Sequence, residues 1–298
     1  MSSSYKSFSP SRIWALTMST VTQLLRMRIL VFLLVISVVV VGASFAFPTF
    51  NAAQQLKMLK DVCFGLEQLF AYVIAMVATA LLLPKDVEDR TLYTILAKPV
   101  PRLDYLLGKL FGVLIVIGGG LVLLDIMLSG VLWIKQGYVL EDTLAGLHMQ
   151  LGGTPPPEAI AAATADVEKQ GLTWALHVGV LAIFLKASVL VSLTLLISCI
   201  ATSTLFSVIT SFCFFIMGHG ETLFREYFFK GGTAWWQYLA AAVLAIFCPD
   251  LSLFDVVDAV TEGRAVLLTD ALHMTGIGLL YTGGYMVVAY LLFVEKEL

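Results

Sequence analysis

The chain has 298 residues, of which 59% are hydrophobic and only 13% are charged, and its net charge is −3. Soluble domains contain about 45–50% apolar and about 25% charged residues. The composition therefore excludes an ordinary soluble domain and predicts an integral membrane protein surrounded by lipid. The small negative net charge gives no basis for nucleic-acid binding, which typically needs a basic surface.

Cysteine and histidine spacing argues against a metal centre. The four cysteines are far apart, lie in or beside apolar stretches and form no CxxC pair. The four histidines have no metal-ligand spacing, so we expect neither a metal site nor a disulfide framework. The P-loop pattern GxxxxGK[ST] does not occur in the sequence. We therefore expect no cofactor bound by this chain and no ATP hydrolysis by it.

The amino-terminal region alternates apolar and polar residues over residues 13–27, with Trp and Arg side chains among them. This pattern predicts an amphipathic helix at the membrane surface, although a cytosolic extension of the first span fits it as well. The first two spans are predicted at residues 29–47 and 62–83. Pro48 and Pro84 follow them and are expected to end them.

The rest of the chain predicts four further spans, at residues 106–134, 174–201, 204–217 and 272–294. The polar stretch 135–173 is interpreted as an extracytoplasmic loop with one surface helix. The apolar stretch 234–248 is too short to cross and is interpreted as a re-entrant hairpin. Lys and Arg are enriched in the short loops that this arrangement places inside, so both termini are expected in the cytoplasm.

A charged segment, PKDVEDRTLYTILAKPVPRLDYLLGK at residues 84–109, separates the second and third spans. Within it, Val87, Thr91, Leu92, Ile95 and Leu96 recur at helical spacing, while Pro99 and Pro101 restrict the backbone beyond them. The pattern predicts a short amphipathic helix on the cytoplasmic side, within residues 84–102. An ordinary charged loop between two spans is the alternative.

The same segment carries a family resemblance. The run DVEDRTL at residues 86–92, the run LAKPVPR at 96–102 and the pair Gly108-Lys109 resemble the signature of ABC-2-type transporter permeases, in the branch associated with multicopper-enzyme maturation and gliding motility. The pattern LLRMR at residues 24–28 and the charged carboxyl end at 293–298 agree with it more loosely.

The resemblance implies an all-α integral membrane protein with six transmembrane helices, an N-terminal amphipathic helix, a cytoplasmic coupling helix and a re-entrant hairpin before the last span. It implies a permease subunit of an ABC exporter in the bacterial cytoplasmic (inner) membrane. Such a subunit works as a dimer with itself or a related permease. Two separate ATPase subunits, which bind ATP and Mg²⁺, drive it. The residues that the resemblance assigns to ATPase coupling are Asp86, Glu88, Asp89, Arg90, Thr91, Leu92, Ile95, Leu96, Lys98, Pro99 and Arg102.

Three ionisable residues, Glu67, Asp125 and Lys186, fall inside predicted spans. A charge near the centre of a bilayer costs at least ~2.5–3.5 kcal/mol, so each should face protein or water. An ion pair between Lys186 and an acid, a lining role along a translocation path, and snorkelling to the interface are the alternatives. Two other functions fit the sequence less well: a non-transporting scaffold of a motility or secretion apparatus, and an intramembrane enzyme using Lys186.

The predicted topology can be tested by cysteine accessibility. In a chain without its native cysteines, single cysteines at Ser3 and Glu297 should react only from the cytoplasmic side. A cysteine at Gly231 should react only from outside, because residues 234–248 are expected not to cross. Labelling of position 297 from outside would contradict the hairpin.

Overall fold

The computed structural model of the chain describes residues 9–43, 52–88, 101–151, 154–201, 203–230, 235 and 248–295. Every regular element among them is helical, which confirms the predicted all-α class. The elements in chain order are α1 (Pro10–Leu25), α2 (Arg28–Ala43), α3 (Ala52–Val73), a π-helical turn (Ile74–Ala78), α4 (Thr79–Glu88), α5 (Arg102–Leu151), α6 (Pro157–Gln170), α7 (Trp174–Ile200), α8 (Thr204–Lys230), a 3-10 turn (Leu251–Phe254), α9 (Val257–Thr261) and α10 (Leu268–Glu295).

Four helical stretches among the described residues are long and apolar enough to cross a membrane. They are Gln54–Pro84, Arg102–Leu151, Pro157–Ile200 and Leu268–Glu295. A fifth follows if α1 and α2, which are bent by 64° at their junction, are taken as one broken span. The chain thus has transmembrane helical character, and these helices include the spans predicted at residues 62–83, 106–134 and 272–294, and the span predicted at 174–201 up to Ile200.

The other predicted spans remain predictions. The apolar part of α8, Thr204–Gly220, is shorter than a typical span, and α8 continues as a helix to Lys230. The described part of the first predicted span, residues 29–43, lies within α2. The predicted hairpin at 234–248 lies outside the described residues, apart from Trp235 and Cys248.

Helix α7 is the centre of the bundle, and α10 lies at its edge. Of the most apolar stretch of Pro157–Ile200, 83% is buried inside the protein. The buried share of the corresponding stretch of α10 is 22%. Side chains all around α7 are buried, including Lys186 and Ser192. An all-round apolar helix of this kind belongs in the interior of a bundle. The exposed apolar side chains of α10 are those expected to face lipid.

Two expected helix ends are wrong. Pro84 lies inside α4, and the helix continues to Glu88. Proline is tolerated there because neighbouring helices in a membrane protein can satisfy the backbone group that it frees. Helix α5 continues to Leu151 through residues that were expected to form a loop. The expected surface helix in the same region does form, as α6.

The amino-terminal helix packs along α5. A Cβ atom added at Gly108 would lie 2.5 Å from Cβ of Leu16, and one added at Gly112 would lie 2.5 Å from Cβ of Thr20. Arg12 pairs with Asp104. The two residues of this pair are as far apart in the sequence as those of the two glycine contacts, so α1 runs parallel to the first turns of α5. Small residues four apart allow this close approach of two backbones. The predicted amphipathic helix therefore forms and packs on the bundle, while its position at the membrane surface stays a prediction.

We predict opposite effects for two glycine substitutions in α5. Gly112→Ala should lower the free energy of unfolding by about 1–3 kcal/mol, because the new methyl group collides with Thr20 of α1. Gly130→Ala, where nothing lies within 4 Å, should leave it unchanged or raise it by up to ~1 kcal/mol through the better helix former. Thermal unfolding in detergent measures both. Equal effects at the two positions would contradict the α1–α5 contact.

Candidate functional site

A buried polar network joins three helices at the end of the bundle where α4 ends and α5 begins. The centre of this network is Asp86, whose residue surface is 6% exposed. Its Oδ2 atom lies 2.6 Å from Nζ of Lys109 and accepts a 2.6 Å hydrogen bond from the hydroxyl of Tyr105. Nε2 of Gln23, on α1, donates to Oδ1 at 3.4 Å, and Lys109 donates to Oε1 of Gln23 at 3.0 Å. We call these four residues the Asp86 network.

Two further contacts tie the start of α5 to its neighbours. Nε of Arg12 on α1 lies 3.1 Å from Oδ2 of Asp104, which is fully buried. Asp104 lies in the first turn of α5, where the helix dipole also favours a negative charge. Arg102 donates from one guanidinium nitrogen to the carbonyls of Phe293 and Val294, both at 2.6 Å. These carbonyls belong to the last turn of α10 that the structure describes, and carbonyls at a helix end can accept hydrogen bonds from side chains.

The structure describes only part of the predicted coupling set. Asp86 and Arg102 are described, and Glu88 is described as the last residue of α4 but not for its side chain. The remaining members of the set lie outside the described residues: Asp89, Arg90, Thr91, Leu92, Ile95, Leu96, Lys98 and Pro99.

The carboxylate of Asp86 is enclosed within the bundle, and its predicted role in coupling stays a prediction. An acidic docking residue should present its carboxylate to a partner surface, but that of Asp86 is enclosed by Lys109, Tyr105 and Gln23. Arg102 is likewise engaged with the end of α10. Both residues therefore anchor the two ends of the predicted coupling segment to the bundle.

The three ionisable residues of the predicted spans have three different environments. Lys186 is buried, and its Nζ atom lies 2.5 Å from Oδ1 of Asp255 and 5.9 Å from the ring centre of Tyr72. Asp125 pairs with Nδ1 of His177 at 2.8 Å. Glu67 is 1% exposed, and neither of its carboxylate oxygens has a hydrogen-bond partner among the residues that the structure describes.

Sequence reasoning missed the partners in these contacts. Asp255 lies far along the chain from Lys186, in a polar segment whose sequence pattern did not indicate a partner for that lysine. Gln23 and Tyr105 are single residues in helical patterns, and only the fold shows that they meet Asp86. The contact between α1 and α5 did have a signal, the small-residue spacing GKLFG at residues 108–112.

The chain matches no known protein family model, and no curated protein matches it.

Removing the Lys109 cation from the Asp86 network should lower the free energy of unfolding. Lys109→Met leaves Asp86 buried without its counter-ion, and we expect a loss of about 3–5 kcal/mol in the free energy of unfolding. Combining Lys109→Met with Asp86→Asn removes both charges and should recover most of that loss. Thermal unfolding of the single and double variants in detergent measures the coupling.

The matched control is Lys169→Met. Lys169 and Asp166 form an ion pair in which both side chains are largely exposed, so its loss should change stability by less than about 0.5 kcal/mol. A Lys109→Met variant as stable as this control would show that the Asp86 network carries no stabilising ion pair.

Proposed function

We propose that this chain is the membrane-spanning permease subunit of an ABC transporter, most consistent with an exporter in the bacterial cytoplasmic membrane. The proposal rests on the resemblance of residues 86–109 to the ABC-2-type signature, together with the transmembrane helical character of the chain. One structural observation supports it most: polar contacts tie both ends of the predicted coupling segment into the bundle, buried at Asp86 and partly exposed at Arg102.

The Asp86–Lys109 ion pair connects the end of α4 with the second turn of α5, on either side of the predicted coupling helix. Arg102 connects the same region with the end of α10, and the Asp86 network connects it with α1 through Gln23. A displacement of the segment between α4 and α5 would therefore be transmitted to four helices. This is the connection that a mechanical coupling element needs.

In this proposal the energy comes from a partner. Two ATPase subunits bind ATP and Mg²⁺, and their closure pushes the coupling segment of each permease in a permease dimer. Asp86 and Arg102 hold the segment, while Glu88 and the residues up to Pro99 provide the docking surface. The chain needs no cofactor of its own for this role.

The proposal can be tested with Glu88→Lys. A cation at the end of α4, where the resemblance places an acid, should weaken docking of the ATPase, because a close like-charge contact replaces an attractive one. The full-length chain is purified from its native membrane, and co-purifying ATPase activity is measured. We expect a loss of about tenfold or more, equivalent to ~1.4 kcal/mol in docking.

The matched control is Glu158→Lys, the same change at an exposed position on α6. It should leave ATPase recovery unchanged. If the wild-type chain brings down no ATPase at all, the scaffold function is favoured over the permease. If Glu88→Lys retains full ATPase recovery and coupling, the assignment of the segment is wrong.

A further inference from the structure

The chain between α8 and α10 enters the bundle over residues 248–263, which we call the inner segment. It consists of the 3-10 turn, the five-residue helix α9 and irregular backbone around them. A Cβ atom added at Gly218 of α8 would lie 2.7 Å from the carbonyl oxygen of Pro249, and one added at Gly278 of α10 would lie 3.4 Å from the ring of Phe254. The inner segment therefore packs between these two helices.

One end of the inner segment lies near the start of α3. Nζ of Lys60 on α3 donates to the carbonyl of Val260 at 3.2 Å and to Oε1 of Gln170, the last residue of α6, at 3.0 Å. Nε2 of Gln170 donates to the carbonyl of Glu262 at 3.0 Å. Helices α3 and α4 run from this point to Asp86, so this end of the bundle is opposite the Asp86 network.

The inner segment also reaches the middle of the candidate spans. Nζ of Lys186 lies 2.5 Å from Oδ1 of Asp255, and Lys186 is next to the midpoint of the 27-residue helix α7. At ~1.5 Å per residue, this is roughly 18 Å from Trp174. The same Nζ atom lies 5.9 Å from the ring centre of Tyr72, which is near the middle of the candidate span Gln54–Pro84. Two helices therefore place Asp255 at mid-depth.

The two partners of this ion pair differ in exposure. The side chain of Lys186 is 3% exposed, whereas that of Asp255 is 48% exposed. In the Asp86–Lys109 pair, by contrast, the two side chains are 8% and 7% exposed. A buried pair that only anchors the fold is enclosed on both sides, because an exposed partner is screened by solvent. The Lys186–Asp255 pair is enclosed on one side only, so the described part of the chain leaves about half of the Asp255 side chain uncovered.

Lipid does not suit that position. An ionised side chain at mid-depth is expensive in hydrocarbon and faces protein or water instead. Irregular backbone at membrane depth occurs only where it is buried in protein or lines a water-filled cavity. Asp258 of α9, three residues after Asp255, is exposed as well. Water is the neighbour that solvates both carboxylates.

Exposed side chains of the neighbouring helix α8 have the opposite character. They are apolar and recur at helical spacing, at Leu205, Ile209, Phe212 and Ile216. This face suits the hydrocarbon of a bilayer. Cys213 of α8 is also exposed and follows Phe212 directly, so it is a native marker of the lipid-facing surface.

We propose that residues 252–259 line a water-filled recess, which opens near Lys60 at the end of the bundle opposite the Asp86 network and reaches the Lys186–Asp255 pair. Water in the recess solvates the half-exposed carboxylate of Asp255, while Lys186 neutralises it from the protein side. Polar and charged solutes, which do not dissolve in lipid, reach the middle of the bundle through this recess. The recess needs no ATPase, so the inference goes beyond the permease proposal and is tested apart from it.

The first experiment is carboxyl labelling of the full-length protein in lipid nanodiscs, which leave both faces open to solvent. A water-soluble carbodiimide with glycinamide converts water-accessible carboxylates into amides, and tandem mass spectrometry of the peptides measures the rate at each acid. Asp255 should react at least about tenfold faster than Asp86, which the packed interior shields from the reagent. Asp86 is the matched control because it also pairs with a lysine. Glu158, exposed on α6, gives the rate of an accessible acid.

The second experiment uses Asp258→Cys, which places a thiol in the recess and keeps the Lys186–Asp255 pair. A charged methanethiosulfonate reagent does not enter lipid. It should modify position 258 about tenfold or more faster than the native Cys213 of the same molecule, because only a thiolate reacts and an apolar environment keeps the thiol protonated. Peptide mass spectrometry compares the two positions within one sample, so the native cysteines stay in place.

Three outcomes overturn the proposal. If Asp255 reacts as slowly as Asp86, another part of the chain or a second copy covers it and no recess exists. Equal rates at Asp258→Cys and Cys213 place position 258 in lipid. Fast reaction at position 258 with slow reaction at Asp255 confines water to the outer part of the segment.

Should Asp258→Cys fail to fold, carboxyl labelling of the wild type decides alone. Neither measurement depends on an ATPase. A failure of this inference is therefore distinguishable from a failure of the permease proposal.

Discussion

The low dielectric constant of the bundle interior governs the arrangement of every charged group in it. A buried charge without a partner is costly, while a well-placed pair also satisfies hydrogen bonds. At the junction of α4 and α5, Asp86 meets this requirement with three partners from two helices. The consequence is mechanical: the end of one candidate span, the start of the next and the amino-terminal helix are held as one unit.

The Asp86 network and the polar residues around Glu67 differ in how many of their buried polar atoms have hydrogen-bond partners. In the Asp86 network each charge has a counter-charge and neutral donors around it, as expected for a structural anchor. Among the described residues, both carboxylate oxygens of Glu67 and Oδ1 of Asp125 are buried without a hydrogen-bond donor. Buried polar atoms without a partner are rare in folded proteins, so this part of the bundle is less completely satisfied than the Asp86 network.

Close helix contacts make both groups possible. Gly108 and Gly112 bring α1 against α5, which places Gln23 beside Asp86 and Lys109. Gly120 admits the ring of Phe70 between α3 and α5, and Gly179 faces Phe64 between α3 and α7. These last two contacts hold α3 against α5 and α7.

The amino-acid sequence by itself determined the class of protein, because long apolar stretches with few charges suit only a membrane interior. It also predicted long apolar helices over residues 62–83, 106–134 and 272–294, and it identified Glu67, Asp125 and Lys186 as ionisable residues within apolar stretches. It did not determine the partners of these charges. Lys186 meets Asp255 across 69 positions, and Asp125 meets His177 across 52. Such contacts depend on which helices pack together and at what register, and local periodicity carries no information about either.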